Sequence, residues 1–528
     1  MKSKIYNIIG AMLLGVALSA CHEDSDVLMS YDHTDAVAFA EAGQSFAGKF
    51  KVTWNGLNQY YGIWDYEAKN GLDWDATYNE YLPQFEALDA RDKNENPVTD
   101  KELRELMQKF LSPLHDGHLT VDWKNHHTGK FCRYSPSWTR ARSRDDYKIA
   151  GENTPHLNYY KDLNNGKVLT DESGNAAVSE ASTLWFDMLY TLWNTEGSGV
   201  MWIKAKMEEY EKKTLPTDHE VYQYTGMKAL LEELNKLTYD GNGLARYNEL
   251  ALQFAFLEVP GLNMVDKNFA DYGVAVRSAM LKGNTGGIAY LYFSDFMLSP
   301  YISSDTEFNM NDSNTANLVS QVKAVWDFWF NNIQDMHKKG TLEGIIIDLR
   351  GNGGGLDSDE QYIMGALIPQ GDFQYGWMRY KRGTGRYDYS PLMPAMTTAM
   401  NTEHEVINDK PIVVLTNSGS VSMSEMTATI AQCLPNGKVI GKRSAGGLCG
   451  LDDNRTFSYN YAGYVGVENE TPVYCYVPSV AEMDMNKNIR EGVGVTPDIE
   501  VDLDATKFKS TGEDSQLERA IEYIKTGK

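Results

Sequence analysis

The chain has few cysteines, and no two of them form a Cys-x-x-Cys pair. Its 528 residues contain five, namely Cys21, Cys132, Cys433, Cys449 and Cys475. In an oxidising compartment, the last four could form disulfides in three alternative pairings. Buried free thiols agree equally well with the sequence, because unpaired cysteine behaves as a small apolar side chain.

The chain also lacks any run of lysine or arginine. It carries 49 basic and 73 acidic residues, a formal net charge of −24 at pH 7 and a pI of about 4.9. Such a surface repels phosphate backbones, which excludes nucleic acid as the expected partner. The acidic balance is typical of a soluble surface.

No apolar run is long enough to span a bilayer, which needs roughly 20 residues. The N-terminal run, Ile8 to Leu18, follows Lys2 and Lys4 and has the form of an export signal, which we assign to residues 1–20. The signal ends in Leu-Ser-Ala-Cys, which resembles a bacterial lipobox with Cys21 as the lipid attachment site. A plain signal peptide followed by a chance cysteine is the alternative. We expect an outer membrane lipoprotein on the periplasmic or cell-surface face, with residues 21–50 as a tether.

The rest of the chain is long enough for two to four domains, and 42% of its residues are hydrophobic. Residues 99–114 place Leu103, Leu106, Phe110 and Leu114 on one helical face, with Thr99 or Asp100 as a start signal. We therefore expect an N-terminal helical domain over 51–125. Residues 126–285 indicate a mixed, partly helical segment with no clear PDZ module.

Residues 286–505 alternate between strand and helix patterns, which predicts an α/β (α+β) core with a mixed sheet. A C-terminal helix is expected within 506–528. The expected strands are 287–293, 344–350, 410–416 and 437–442, the expected helices are 316–339, 358–367 and a helix starting near Ser422, and a hairpin is expected near 373–389.

Four serines at alternate positions, Ser418, Ser420, Ser422 and Ser424, follow the strand at 410–416. Ser422 with Glu425 three positions later matches a helix capping box, which is a structural role. A serine at a helix start also lies where free N–H groups gather, and these can stabilise an oxyanion. The two roles are compatible.

Three further segments carry candidate residues. Ile-Asp-Leu-Arg-Gly-Asn-Gly-Gly-Gly (347–355) is a strand followed by a glycine loop that lacks the Gly-Lys-Ser/Thr ending of a phosphate-binding loop. His115, Asp116 and His118 lie together, but a metal site needs further ligands and the His-Glu-x-x-His pattern is absent. Glu491 lies in a segment, 488–502, typical of a loop and an edge strand, for which a solvated turn is the structural alternative.

In this order, the motifs resemble those of the carboxy-terminal-processing (tail-specific) serine peptidases, whose relatives include the tricorn protease core and the retinoid-binding protein of the eye. The resemblance covers roughly 286–505 and the helical stretch ending at 120, and it implies a ClpP/crotonase-like core. It implies Ser422 as the nucleophile. It also implies an oxyanion hole formed by the amide of Met423 with that of Gly354 or, less favoured, Gly353.

The general base is where the sequence departs from the tail-specific pattern. The family's lysine position falls on Gly447, and Lys442 is at the wrong step. His118 resembles the histidine base of tricorn-like members, and histidine can accept a proton at neutral pH. Glu491 resembles the carboxylate that orients the histidine, with Asp116 as the alternative. A Ser422–His118–Glu491 peptidase acting on peptides or proteins, without metal or organic cofactor, is the expected function. A non-catalytic peptide-, lipid- or glycan-binding lipoprotein on the same fold is the alternative.

Overall fold

The computed structural model describes residues 41–137, 276–293, 295–296, 330–331, 333–365, 367–369, 371–383, 385–398, 405–450, 464–468, 470–504 and 514–528. The predicted export signal, Cys21 and most of the segment 126–285 lie outside these ranges. Most of the predicted helix 316–339 also lies outside them; of its described residues, 330–331 and 333–338 are helical. Within the described ranges, no helix combines the length and the apolar character needed to cross a bilayer.

A six-stranded mixed sheet forms the core, in the order β13-β9-β8-β5-β4-β3. Its strands are β3 (Val276–Lys282), β4 (Gly287–Phe293), β5 (Leu342–Asp348), β8 (Ile412–Thr416), β9 (Gly437–Gly441) and β13 (Ile499–Glu500). Only β3 runs antiparallel to its neighbour; the other pairs are parallel. The predicted α/β class with a mixed sheet is confirmed.

Both faces of the core sheet are covered, which explains the continuous apolar runs in its central strands. Ile345 and Ile347 point to one face, where they pack with helix α6 (Met423–Cys433) and its neighbours. Ile346 points to the other face and packs with helix α7 (Ser515–Thr526). Helix α7 confirms the C-terminal helix expected in 506–528, and its first turn is capped by Asp514.

A buried charge network fixes the end of β5 to the start of α7. The Arg350 guanidinium is 1% exposed and donates to Asp348 at 2.9 Å, to Asp514 at 2.9 Å and to Gln516 at 3.0 Å. Tyr290 on β4 also donates to Asp348, at 2.8 Å. The arginine of the Asp-Leu-Arg motif therefore positions the glycine loop that follows it.

Within the described residues 41–137 lie the helices α1 (Phe46–Tyr60), α2 (Trp64–Lys69), α3 (Trp74–Asp89) and α4 (Asp100–Leu111). Thr99 caps α4 in a capping box with Glu102, and the helix ends before Pro113, as the sequence predicts. Helix α1 begins inside the predicted tether 21–50, capped by Ser45, because Phe46 and Phe50 are fully buried. The tether therefore ends earlier than residue 50.

The N-terminal region also contains half of a four-stranded sheet, in the order β10-β11-β1-β2. Strands β1 (Thr120–Lys124) and β2 (Phe131–Tyr134) come from this region, whereas β10 (Tyr464–Val465) and β11 (Val473–Tyr476) come from the predicted core segment 286–505. Trp123 on β1 pairs with Val473 on β11. Strand β1 thus lies at the end of the segment 51–125, for which the sequence predicts a helical domain, and it completes its hydrogen bonds with a strand distant in sequence.

A three-stranded sheet, in the order β12-β6-β7, flanks the core. It consists of β6 (Asp372–Tyr380), β7 (Met393–Thr398) and β12 (Val480–Met483), and helix α5 (Asp357–Met364) precedes it in the chain. The hairpin expected near 373–389 has its second strand later, at β7. In the loop between the two strands, the Lys381 ammonium donates to the carbonyl oxygen of Gly385 at 2.6 Å.

Candidate active site

The structure distinguishes Ser422 from its three neighbours. Ser420 donates to the carbonyl oxygen of Leu349 at 2.7 Å, and Ser424 donates to the Asn352 side chain at 2.7 Å; both are fully buried. Ser418 is also buried. Ser422 is half-buried and is the one serine of the four that a substrate can reach.

Ser422 lies at a sharp turn between the end of β8 and the start of α6. Its backbone angles are φ 57° and ψ −119°, a left-handed conformation that costs a non-glycine residue about 1–3 kcal/mol. Its N–H donates to the carbonyl oxygen of Gly447 at 3.1 Å and to the Glu425 carboxylate at 3.2 Å. The Glu425 contact is the one that the capping-box pattern predicts. A strained strand-to-helix turn of this kind projects a nucleophilic side chain out of the sheet.

The glycine loop lies directly against this turn. Gly354 has φ 92°, and a Cβ atom there would lie 2.6 Å from Ser422 Cβ and 3.0 Å from the Met423 nitrogen. Asn352 holds the loop in place: its Oδ1 accepts from the Gly354 N–H at 2.8 Å and from the Ser424 hydroxyl, and its Nδ2 donates to the carbonyl oxygen of Phe293. Only glycine fits at position 354.

Two backbone N–H groups, one in the serine turn and one in the glycine loop, are candidates for binding an oxyanion. Within the described residues, neither the Met423 N–H nor the Gly353 N–H donates a hydrogen bond. The Gly354 N–H is already engaged by Asn352. Gly353 is therefore the glycine of the expected pair whose N–H makes no hydrogen bond within the described residues.

His118 lies in the loop between α4 and β1. The Asp116 Oδ1 accepts from the N–H groups of His118 and Leu119, both at 2.7 Å, which fixes the loop as an Asx turn. His118 Nδ1 is buried and has no hydrogen-bond partner among the described residues. Burial lowers the pKa of His118 to about 4, because the charged imidazolium loses its hydration. The imidazole is therefore neutral, and able to accept a proton, at neutral pH.

Glu491 is fully buried beside His118, so the alternative of a solvated turn is wrong at this residue. One carboxylate oxygen accepts from the Gly117 N–H at 2.6 Å, and the other accepts from Leu448 and Cys449, both at 2.8 Å. Burial, followed by the nearby Asp116 carboxylate, raises the pKa of Glu491 well above its usual range.

Asp116, His118 and Glu491 each place one potential ligand atom within 4.8 Å of the other two. Within the described residues, these three side chains form the group that could hold a metal ion. His115 does not join them. Its ring Nδ1 lies 2.6 Å from the Glu67 carboxylate, which also accepts the hydroxyl of Tyr61.

The histidine loop meets the serine turn through two glycines. A Cβ atom on Gly117 would lie 2.5 Å from Gly447 Cα, so the two backbones are in direct contact. Gly447 in turn accepts the Ser422 N–H, and its own N–H donates to Glu425 at 2.7 Å. The loop that carries His118 thus lies against the turn that carries Ser422, some three hundred residues later in the sequence.

Glu425 is the residue whose importance the sequence pattern understates. Its buried carboxylate accepts from Ser444 Oγ at 2.5 Å, from Gly446 N–H at 2.8 Å and from Gly447, in addition to Ser422. The capping-box spacing was the available signal, but it does not reveal the loop at 444–447. Lys442 lies apart from this network, because its ammonium pairs with Glu500 and Asp502 at 2.7 Å each.

The four cysteines in the described residues, Cys132, Cys433, Cys449 and Cys475, are all free thiols, and none is disulfide-bonded. This agrees with free thiols, which the sequence left open as the alternative to disulfides.

Residues 317–501 match the family model of peptidase family S41. A carboxy-terminal-processing protease of Bartonella bacilliformis is 27% identical over 171 residues, which cover 32% of this chain and 34% of that protein. A nisin-resistance protein of Lactococcus lactis is 26% identical over 227 residues, covering 42% of this chain and 58% of that protein. The chain thus spans between about a third and three fifths of these relatives. Together, the matches show that residues 317–501 are similar to peptidase family S41 and that part of the chain is similar to a carboxy-terminal-processing protease.

Two solved structures give the extent of the structural likeness. A putative peptidase from Parabacteroides merdae aligns with a TM-score of 0.47 and 17% identity, over 91% of this chain and 96% of that chain. The photosystem II D1 C-terminal processing protease aligns with a TM-score of 0.27 and 17% identity, over 48% of this chain and 52% of that chain.

Proposed function

We propose that the protein is a serine peptidase that hydrolyses peptide bonds with Ser422 as nucleophile, His118 as general base and Glu491 as its orienting carboxylate. The observation that carries the proposal is the turn at Ser422. A strained, accessible serine lies at a turn that packs against the glycine loop, and the loop that carries the neutral His118 imidazole is held against the same turn.

The chemistry follows from these groups. The Ser422 hydroxyl attacks the substrate carbonyl carbon while His118 takes its proton. The resulting oxyanion accepts hydrogen bonds from the N–H groups of Met423 and Gly353, each of which would contribute on the order of 3 kcal/mol by comparison with other enzymes. His118 then gives the proton to the leaving amine, and a water molecule, activated in the same way, hydrolyses the acyl-enzyme on Ser422.

Glu491 would act on His118 rather than on the substrate. Its oxygens accept from the backbone N–H groups of Gly117, Leu448 and Cys449, so that it fixes the histidine loop and the loop after β9 together. Asp116 supports the same loop through its Asx turn. Closure of the site on substrate would bring the carboxylate to the imidazole, as catalytic hydrogen bonds often tighten only in the substrate complex.

Peptide hydrolysis by purified protein tests the proposal. A mass-spectrometric cleavage map on a peptide library should show cuts that Ser422→Ala and His118→Ala each abolish, while Ser418→Ala retains them. Hydrolysis that survives Ser422→Ala, or a folded wild-type protein that cleaves no peptide, would favour the non-catalytic binding role instead.

We also propose that the protein is exported and tethered to the outer membrane by lipid on Cys21. The supporting features are the basic start, the short apolar run and Leu-Ser-Ala-Cys. Acyl chains would add about 0.8 kcal/mol of membrane affinity per buried methylene. Metabolic labelling with an alkyne fatty acid should mark the wild type and not Cys21→Ser; labelling of the serine variant would contradict the assignment.

A further inference from the structure

Three side chains at the candidate active site converge on one point from two segments that are distant in sequence. Asp116 and His118 belong to the loop between α4 and β1, whereas Glu491 lies in the loop after β12. Each of the three places one potential ligand atom within 4.8 Å of the other two. A metal site with an open position needs three protein ligands. The folded chain reaches that number because Glu491 joins the two ligands that are neighbours in sequence.

The His118 ring has a nitrogen that no described group occupies. Its Nδ1 is buried and has no hydrogen-bond partner within the described residues, although the Glu491 carboxylate belongs to the same cluster. Ligands bind Zn²⁺ at about 2.0–2.2 Å, so two ligand atoms on one ion stand about 3.5 Å apart. Side-chain movements of about 1 Å would therefore bring the three ligand atoms onto a common ion.

The two carboxylates of the cluster are buried and held in place by backbone groups. Asp116 and Glu491 are both 0% exposed. Asp116 Oδ1 accepts from the N–H groups of His118 and Leu119, and one Glu491 oxygen accepts from that of Gly117 at 2.6 Å. These donors are neutral, and a carboxylate oxygen has a second lone pair for a cation. A divalent cation between the carboxylates would offset the repulsion of two negative charges in a buried site.

From this convergence we infer that Asp116, His118 and Glu491 bind one Zn²⁺ ion, which acts as a reversible inhibitor of the candidate active site. One imidazole nitrogen with two carboxylate oxygens is a ligand set that zinc accepts, whereas Mg²⁺ and Ca²⁺ prefer oxygen ligands alone. The inhibitory part rests on the proposed peptidase function. The metal would take the lone pair of the neutral imidazole and leave the proton on the other nitrogen, so His118 could not accept the proton of Ser422.

Calorimetric titration of the purified protein with zinc chloride at neutral pH tests the site without any hydrolysis. We expect one zinc ion per chain whose affinity falls at least tenfold in Asp116→Asn and in His118→Ala. Asparagine keeps the side-chain oxygen that the Asx turn requires, so Asp116→Asn removes the charge while the loop is retained. Ser422→Ala should bind zinc as tightly as the wild type, because Ser422 is not a ligand.

A matched control is His337→Ala, which removes another histidine that contacts a carboxylate, that of Asp409 at 2.7 Å, and should leave zinc affinity unchanged. Zinc binding that survives both Asp116→Asn and His118→Ala, or no zinc binding by the wild type, overturns the site.

Peptide hydrolysis separates this inference from the proposed function. Saturating Zn²⁺ should lower hydrolysis by the wild type at least tenfold, EDTA should restore it, and the same concentration of Mg²⁺ should have no effect. Hydrolysis that is unchanged by bound zinc would overturn the inhibitory role and leave the peptidase standing. Zinc binding that depends on Asp116 and His118, in a wild-type protein that cleaves no peptide with or without EDTA, would instead contradict the peptidase and leave the zinc site standing.

Discussion

Gly117 and Gly447 touch backbone to backbone, and this contact places the histidine loop against the nucleophile turn. A Cβ atom on Gly117 would meet Gly447 Cα at 2.5 Å and the Gly446 carbonyl oxygen at 3.1 Å, whereas a Cβ atom on Gly447 would first meet a Val421 methyl group at 3.1 Å. An added side chain on Gly117 would therefore clash with backbone atoms, whereas one on Gly447 would first meet a side chain that can move.

Gly117→Ala should lower kcat more than tenfold, because the added methyl group must push His118 and Ser422 apart. Gly447→Ala should cause a clearly smaller loss, since a side chain can move more easily than backbone. Steady-state hydrolysis of one peptide by both variants measures the difference. Equal losses, or a larger loss for Gly447→Ala, would contradict the geometry.

The strain at Ser422 predicts an unusual order of stability. The free energy of unfolding of Ser422→Gly should exceed that of Ser422→Ala by about 1 kcal/mol or more, because glycine adopts φ 57° without strain. Ser422→Gly should therefore also unfold at the higher temperature. Both variants should be inactive. Lys487, with φ 66°, provides a matched control: Lys487→Gly should also exceed Lys487→Ala in stability, but both should stay active. A less stable Ser422→Gly would show that the turn is not strained.

The pH dependence of hydrolysis should report the buried imidazole. Because burial lowers the pKa of His118 to about 4, kcat/KM should decline on the acid side near pH 4, not near the ordinary 6.5. The measurement needs a peptide without titratable side chains, so that the substrate does not contribute. Because kcat/KM reports the free enzyme, an acid limb between pH 6 and 7 would contradict the account by showing that His118 is hydrated, or already paired with a carboxylate, before substrate binds.

Glu360 on α5 predicts a pH-dependent stability. Burial raises its pKa from 4.5 to about 8, so the folded protein holds a proton there that the unfolded chain has lost. The free energy of unfolding is therefore highest below pH 4.5, where Glu360 is protonated in both the folded and the unfolded states. It declines by up to about 1.4 kcal/mol per pH unit as the pH rises to 8. Glu360→Gln removes the titration, and it should be more stable than the wild type at pH 8–9, by roughly 2 kcal/mol or more, and similar at pH 5.

Glu343 provides a control, because its pKa is shifted in the opposite direction to that of Glu360. Backbone N–H groups of residues 284–286, Asn284 foremost, hold the pKa of Glu343 below its usual value, so Glu343→Gln should lose stability at neutral pH and gain none at pH 9. Thermal unfolding of both variants at pH 5 and pH 9 decides the matter. A Glu360→Gln protein that gains no stability at pH 9 would contradict the burial assigned to this carboxyl.

Individual helices and strands could be predicted from the sequence because each depends on neighbouring residues. The apolar runs of β5 and β8 and the capping box at Thr99 each depend on a few neighbouring side chains. Ser422 and the glycine loop could likewise be singled out, since both lie at strand ends, where loop residues carry chemistry.

The remaining features depend on contacts between distant segments. The pairing of β1 with β11 joins residues more than three hundred positions apart, and no local pattern specifies that register. The burial of Glu491 and the four donors around Glu425 likewise come from separate loops. The hydrogen bond that the Gly354 N–H donates to Asn352 is likewise not revealed by the motif alone.

The most direct test of the account is active-site labelling with a fluorophosphonate, followed by peptide mapping of the adduct. We predict one phosphonate per chain, attached to Ser422, lost in Ser422→Ala and His118→Ala and retained in Ser418→Ala. A folded protein that takes up no label, or an adduct mapped to any other residue, would contradict the account.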